Sequence, residues 1–165
     1  IMGTGCGGGL CINGIIHSGR HGIAGEWGHF SIDPDGYQCF CKNRGCIDTK
    51  LTGPGLVRGF EHLTGRKLDS QKIVEHARKG DANCKKVFDA FLEDFGRGVG
   101  GVISLLDPDA IVLGGGLSNI PEVYTEGVER VKEYAFHNNI TTPILKNQLG
   151  DSAGVFGAAW LPFHI

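Results

Sequence analysis

The spacing of one histidine and three cysteines restricts this chain more than any other feature. Cys39 and Cys41 are two positions apart, Cys46 follows five later, and His29 precedes the first by ten. Three thiolates and one imidazole make a closed Cys3His set, the usual composition of a tetrahedral structural zinc site. Residues 29–46 are therefore expected to fold round Zn2+, with Gly45 helping the chain turn back. A redox pair would favour Cys-x-x-Cys spacing, which is absent. Six cysteines also raise the question of a disulfide framework. It is the weaker reading, because the chain is long enough for an ordinary core and has no basic start leading into an apolar signal segment. A reducing cytoplasm fits better, and Cys6, Cys11 and Cys84 are read as packing residues.

Glycine is the compositional outlier, 28 residues gathered in clusters. The first cluster, "GTGCGGG", lacks the Lys and Ser/Thr of a P-loop and enters a hairpin rather than the helix of a dinucleotide fingerprint. What remains is a loop of exposed amides, with the Thr4 hydroxyl, able to hold phosphate oxygens without side-chain charge. The second, "GGGLS" from Gly114, follows an apolar run and would let a flat ring approach the backbone. Either could be a simple turn; two at strand ends suggest a nucleotide lying between them.

Asn13-Gly14 between short apolar runs predicts a hairpin with a type I′ turn. Helices are expected from Gly55 to Gly65, from an N-cap at Asp69 or Ser70 to Gly80, and from Ala82 to Leu106. Glycines 96, 98, 100 and 101 in the last of these mark close packing against a neighbouring backbone. A short buried strand is expected at Ala110–Leu113, a helix from Pro121 to Phe136, a strand in "TPILKNQL" and a closing helix in "DSAGVFGAAWLPF". Strands alternating with helices indicate a layered α/β fold. The net charge of −2 argues against a general nucleic-acid or membrane-surface role, and no apolar run is long enough to span a bilayer. Trp27 is read as a pocket wall or core residue, and His17, His21, His62, His76, His137 and His164 as structural or solvated.

Five stretches, "GTGCGGGLCING", "AGEWGH", "CFCKNRGC", "LDPDAIVLGGGLSN" and "GDSAGVFGAAW", together resemble the C-terminal half of the ROK family of bacterial sugar kinases and related repressors. The likeness runs through essentially the whole chain, and within the family it looks closest to fructokinase- and mannokinase-type members, with N-acetylglucosamine kinases next. The resemblance implies that residues 1–165 form the C-terminal lobe of an actin-like, ribonuclease H-like ATPase-domain fold with an inserted zinc-binding loop. Sugar and ATP would lie in the cleft against an N-terminal lobe missing from this chain.

By that resemblance Gly3, Thr4, Gly5, Cys6, Gly7, Gly8, Gly9 and Leu10 face the ATP phosphates, and Gly114, Gly115 and Gly116 the adenosine. Glu26 and His29 match sugar-hydroxyl ligands, while His29, Cys39, Cys41 and Cys46 match zinc ligands, so His29 is expected to serve both. Two departures stand out: Lys42 where the family has glycine, and Asp48 where it has a sugar-binding glutamate. The implied activity is transfer of the γ-phosphate of ATP, with Mg2+, to a hexose hydroxyl of fructose, mannose, glucose or an N-acetylhexosamine. The family's catalytic aspartate belongs to the missing lobe, so the chain alone is expected to be inactive. A cytoplasmic homodimer without membrane contact is expected. The alternative is a sugar-sensing repressor of the same family, the one case in which nucleic acid would be a partner.

Overall fold

The structure, a computed structural model, describes residues 1–137, 139–150 and 152–160. Its spine is a long helix, and the sequence gives the reason. In Ala82–Leu106 apolar residues recur every three or four positions, so Val87, Phe88, Phe91, Leu92, Phe95, Val99 and Ile103 form one buried stripe. Asp81 caps the start, accepting from the Cys84 N–H at 2.8 Å, and the helix stops where Asp107 turns left-handed ahead of Pro108. This is the third helix of the chain, α3.

Two helices precede it. α1, Gly53–Thr64, is capped by Thr52 and ends on left-handed Gly65; it begins two residues earlier than expected, with Pro54 in its first turn. α2, Ser70–Arg78, is capped by Asp69, which accepts from the Gln71 N–H, so of the two candidate caps it is Asp69 that acts. Both pack on α3 through Leu56, Phe60, Ile73 and Val74, which belong to the same core as Phe95. Full burial of such a side chain is worth roughly 1.5–3 kcal/mol.

The expected helix from Pro121 to Phe136 is divided. Pro121–Tyr124 is a 3-10 turn, and the α-helix, α4, covers only Glu126–Tyr134. The early end of α4 has a tertiary cause. α4 lies so close to α3 that a Cβ on Gly96 would sit 2.5 Å from Arg130 Cβ, and one on Gly100 2.9 Å from Tyr134 Cβ. At Ala135 the backbone becomes extended, and the Phe136 N–H goes to Ser104 Oγ of α3 (2.9 Å) rather than up its own helix. The expectation that glycines in α3 mark close backbone packing therefore holds at Gly96 and Gly100.

The strands are short. β1, Leu10–Ile12, and β2, Ile15–His17, pair antiparallel with Leu10 opposite His17, and Asn13 and Gly14 both take positive φ as a type I′ turn requires. β3, Ile111–Leu113, pairs parallel with β4, Ile144–Lys146. Ala110 lies outside β3, and Val112 is 60% exposed, so this strand is buried only at Leu113 and not throughout as expected. α5, Ala153–Trp160, follows; the rest of the expected closing helix, and His164, lie outside the described residues. Among the described residues no helix is long and apolar enough to cross a membrane. Cys6 and Cys84 are buried as packing residues should be, but Cys11, on the hairpin strand β1, is exposed.

Candidate functional site

The segment between His29 and Cys46 is held by backbone hydrogen bonds rather than by regular structure. The Ile32 N–H donates to Gly45 O (3.0 Å), the Gly45 N–H to Tyr37 O (2.8 Å), and the Cys39 N–H to Asn43 O (2.8 Å). Gly45 has φ 63°, and a Cβ there would fall 1.6 Å from Asp33 O, so the return of the chain towards Cys46 admits only glycine. Lys42, also at positive φ, forms the tip of the turn.

This folding brings one donor atom from each of His29, Cys39, Cys41 and Cys46 within 4.8 Å of one another. Cys41 Sγ is 3.6 Å from Cys46 Sγ, and Cys39 Sγ is 3.6 Å from His29 Nδ1. A tetrahedral ion with Zn–S bonds of about 2.3 Å sets its ligands about 3.8 Å apart, so the donor set and its spacing fit zinc. Burial pushes the Cys46 thiol up to about 12, whereas the Asn43 backbone N–H draws Cys41 below the ordinary thiol value. Lys50 ties the same loop to α3, reaching Asp33 at 3.0 Å and Asp94 at 3.4 Å.

Glu26 and His29 lie at either end of a 3-10 turn, Trp27–His29, which rests on the first glycine loop. A Cβ on Gly28 would fall 1.8 Å from Cys6 O, and one on Gly25 2.4 Å from Gly8 O. The "GEWG" glycines thus let the turn touch the loop directly. With Nδ1 on the cysteine side, His29 directs Nε2 towards Glu26 Oε2 at 3.9 Å, too far for a hydrogen bond. Asp48 completes the group from the 3-10 turn Ile47–Thr49, just past Cys46. Glu26, His29 and Asp48 line one cavity of about 780 Å³ with the loop residues Thr4 to Leu10. Trp27 is part of its wall and packs on the core, so both readings of it hold.

The two glycine loops are neighbours, joined by Met2. The Met2 N–H donates to Gly114 O (2.8 Å) and Met2 O accepts from the Leu117 N–H (3.0 Å). A Cβ on Gly115, at φ 81°, would fall 2.5 Å from Met2 O. Between the loops opens a second cleft, about 860 Å³, lined by Gly3, Thr4, Gly115 and Gly116 on one side and by Pro54, Arg58 and Gln71 on the other. Ile1 and Thr4 border both cavities. Burial pushes the Cys6 thiol up to about 12, which leaves it a neutral packing group in this loop.

Every site residue expected from the sequence except Gly114 lies in one of three adjoining places: the four-donor cluster, the carboxylate cavity, or the cleft between the glycine loops; Gly114 lines neither cavity and accepts from the Met2 N–H beside the cleft. Some residues were missed. Phe40, 81% exposed, stands edge-on to the His29 ring at 4.8 Å and lines the carboxylate cavity; an apolar residue between two candidate donor cysteines is its one signal. Pro54, Arg58 and Gln71 of the cleft gave none, since they read as ordinary helix starts. Asn147 also went unnoticed; its Nδ2 donates to Leu113 O (3.1 Å) beside the second loop, and its Oδ1 is buried without a partner.

The ROK family profile matches residues 1–164. An N-acetyl-D-glucosamine kinase from Pasteurella multocida (strain Pm70) is 38% identical over 173 aligned residues, covering 98% of this chain and 57% of that protein. The crystal structure of a ROK family glucokinase from Streptomyces griseus in complex with glucose and AMPPNP matches with a TM-score of 0.85 at 30% identity, over 97% of this chain and 58% of that one. A ROK family transcriptional regulator, a homologue of the E. coli MLC protein, matches with a TM-score of 0.71 over 87% of this chain and 40% of that one. At 24% identity the last likeness speaks for the fold alone. The chain spans 56–57% of the length of the curated relatives it matches. Those relatives are N-acetyl-D-glucosamine kinases, so the expected nearness to fructokinase-type members is not supported.

Proposed function

Because the chain belongs to the ROK family, we propose that it is the C-terminal lobe, with an actin-like fold, of a cytoplasmic ATP-dependent hexose kinase. The observation that carries this reading is the meeting of two cavities at Thr4. One is suited to a nucleotide and the other to a neutral sugar. A sugar is selected by buried polar groups that would be left unpaired with the wrong hydroxyl pattern. Glu26 accepts hydrogen bonds from sugar hydroxyls, and His29 would offer Nε2 as a donor with Nδ1 given to the metal. Zn2+ held by His29, Cys39, Cys41 and Cys46 supplies a structural crosslink that fixes the imidazole.

In the cleft, amides of the first glycine loop and the Thr4 hydroxyl receive phosphate oxygens, and the Gly114–Gly116 loop lies against the adenosine. Phosphoryl transfer depends mainly on positioning and on charge stabilisation, to which Mg2+ would add positive charge. The catalytic base, an aspartate, comes from the N-terminal lobe. Among the candidate acceptors, N-acetylglucosamine and glucose are favoured by the names of the relatives and of the liganded neighbour. The repressor reading is supported by a likeness of fold only, while both glycine loops are intact.

The test is ADP release by the full-length protein against N-acetylglucosamine, glucose, N-acetylmannosamine, mannose and fructose. Turnover with one of the first two above a no-sugar control is expected. A full-length protein that binds neither ATP nor any of these sugars by calorimetry overturns the reading.

A further inference from the structure

Asp48 is one methylene shorter than the glutamate the sugar site resembles, and it does something a sugar ligand need not do. Its Oδ1 accepts the backbone N–H of Cys6 at 2.7 Å, across 42 positions of sequence. Cys6 is the centre of the first glycine loop and is itself buried, with its thiol held neutral. Asp48 Oδ1 also lies 3.4 Å from where a Cβ on Gly5 would stand, so the carboxylate is seated against the loop backbone. The position of Asp48 is in turn fixed. It sits in the turn that starts at the donor Cys46, the Thr49 hydroxyl donates to Cys46 O (2.7 Å), and the Thr52 hydroxyl donates to Asp48 O (3.0 Å).

We infer that Asp48 is a positioning residue for the phosphate loop: through the Cys6 N–H it holds the loop in its open-amide shape while its side chain borders the sugar cavity. The inference rests on the kinase reading above, and joins the four-donor cluster, the sugar cavity and the nucleotide cleft in one chain of contacts. A hydrogen bond to a charged acceptor is among the stronger ones, and here it adds to the neutral backbone bonds that close the loop, Gly3 N–H to Gly5 O, Gly7 N–H to Ile1 O and Gly53 N–H to Gly3 O.

Charge and position make opposite predictions. A carboxylate near a triphosphate repels it, so if Asp48 acted on nucleotide only through charge, its removal would tighten binding. If it acts through the loop, Asp48→Ala weakens binding, and Asp48→Asn, whose amide oxygen can still accept from Cys6, does not. The experiment is calorimetric titration of AMPPNP into the full-length protein without sugar, beside KM and kcat for ATP and sugar.

Expected are a loss of about tenfold in AMPPNP affinity for Asp48→Ala and a change within about threefold for Asp48→Asn. The sugar KM rises in both. Equal AMPPNP affinities in wild type, Asp48→Asn and Asp48→Ala, or tighter binding in both variants, overturn the inference and leave the kinase reading intact. A wild-type protein that binds no nucleotide overturns both. If Asp48→Ala does not fold, Asp48→Ser, whose hydroxyl is too short to reach Cys6, takes its place. Amide exchange adds a readout on the wild type itself: the Cys6 N–H is protected, and exchange at the rate of an open-loop amide contradicts the role.

Discussion

Lys42 holds φ 77° at the tip of the turn between Cys41 and Cys46, a backbone shape that costs a side-chain-bearing residue roughly 1–2 kcal/mol. Glycine removes that cost and gives back roughly 0.5–1 kcal/mol through a freer unfolded chain. Lys42→Gly is therefore expected to stabilise by about 0.5–1 kcal/mol, read as a higher denaturation midpoint at unchanged slope; a lower midpoint would show that Lys42 makes compensating contacts. The same arithmetic is closed to Gly45, because the neighbouring Asp33 carbonyl leaves no room for a side chain. Residues of this kind were partly legible. The Cys3His set could be read from spacing alone because a tetrahedral ion needs four donors and little else. The Asp48–Cys6 bond could not, since nothing local links positions 42 apart.

At the level of elements, Arg78 of α2 grips Glu122 through two hydrogen bonds, 2.6 and 2.7 Å, and so joins α2 to the 3-10 turn before α4. The Arg78 hydrogen bond lowers the Glu122 pKa against a smaller opposing effect of burial. A carboxylate depressed on folding gives stability that is present above its unfolded value, about 4.3, and is lost as pH falls through the folded value. Since Arg78 is half exposed, solvent screening limits the pair to about 0.5–1 kcal/mol. Glu122→Gln should lose that amount at pH 7, with a shallower decline of stability below pH 4.3; an unchanged acid limb contradicts it.

The metal loop carries a sharper test. Cys46→Ser in the full-length protein should lower Tm by roughly 5–10 °C and raise the sugar Kd by about tenfold or more. Unchanged sugar binding in a zinc-free, folded variant would leave His29 with its metal role only. Elements whose signals are local were readable from the sequence: the Asp81 cap, the α3 stripe and the Asn13-Gly14 turn. The end of α4 was not, because Gly100 and Ser104 of another helix decide it.

For the whole molecule, the sequence suggests one nucleotide between the loops Gly3–Leu10 and Gly114–Gly116 but carries no sign of what joins them, which is the pair of Met2 hydrogen bonds. The proposed division of labour between two lobes predicts that residues 1–165 alone release no ADP above the no-sugar control with any hexose. Turnover would mean that the base is carried here. The hairpin adds a different consequence. Ile15 and Ile16 of β2 are 72% and 71% exposed, and among the described residues β2 pairs only with β1, so one edge of it keeps its amides and carbonyls open beside bare isoleucines. In colloidal terms that strand is adhesive, and its stickiness grows with concentration. The isolated chain should sediment as larger species at high loading, while Ile15→Lys with Ile16→Thr keeps it monodisperse and leaves the metal site untouched.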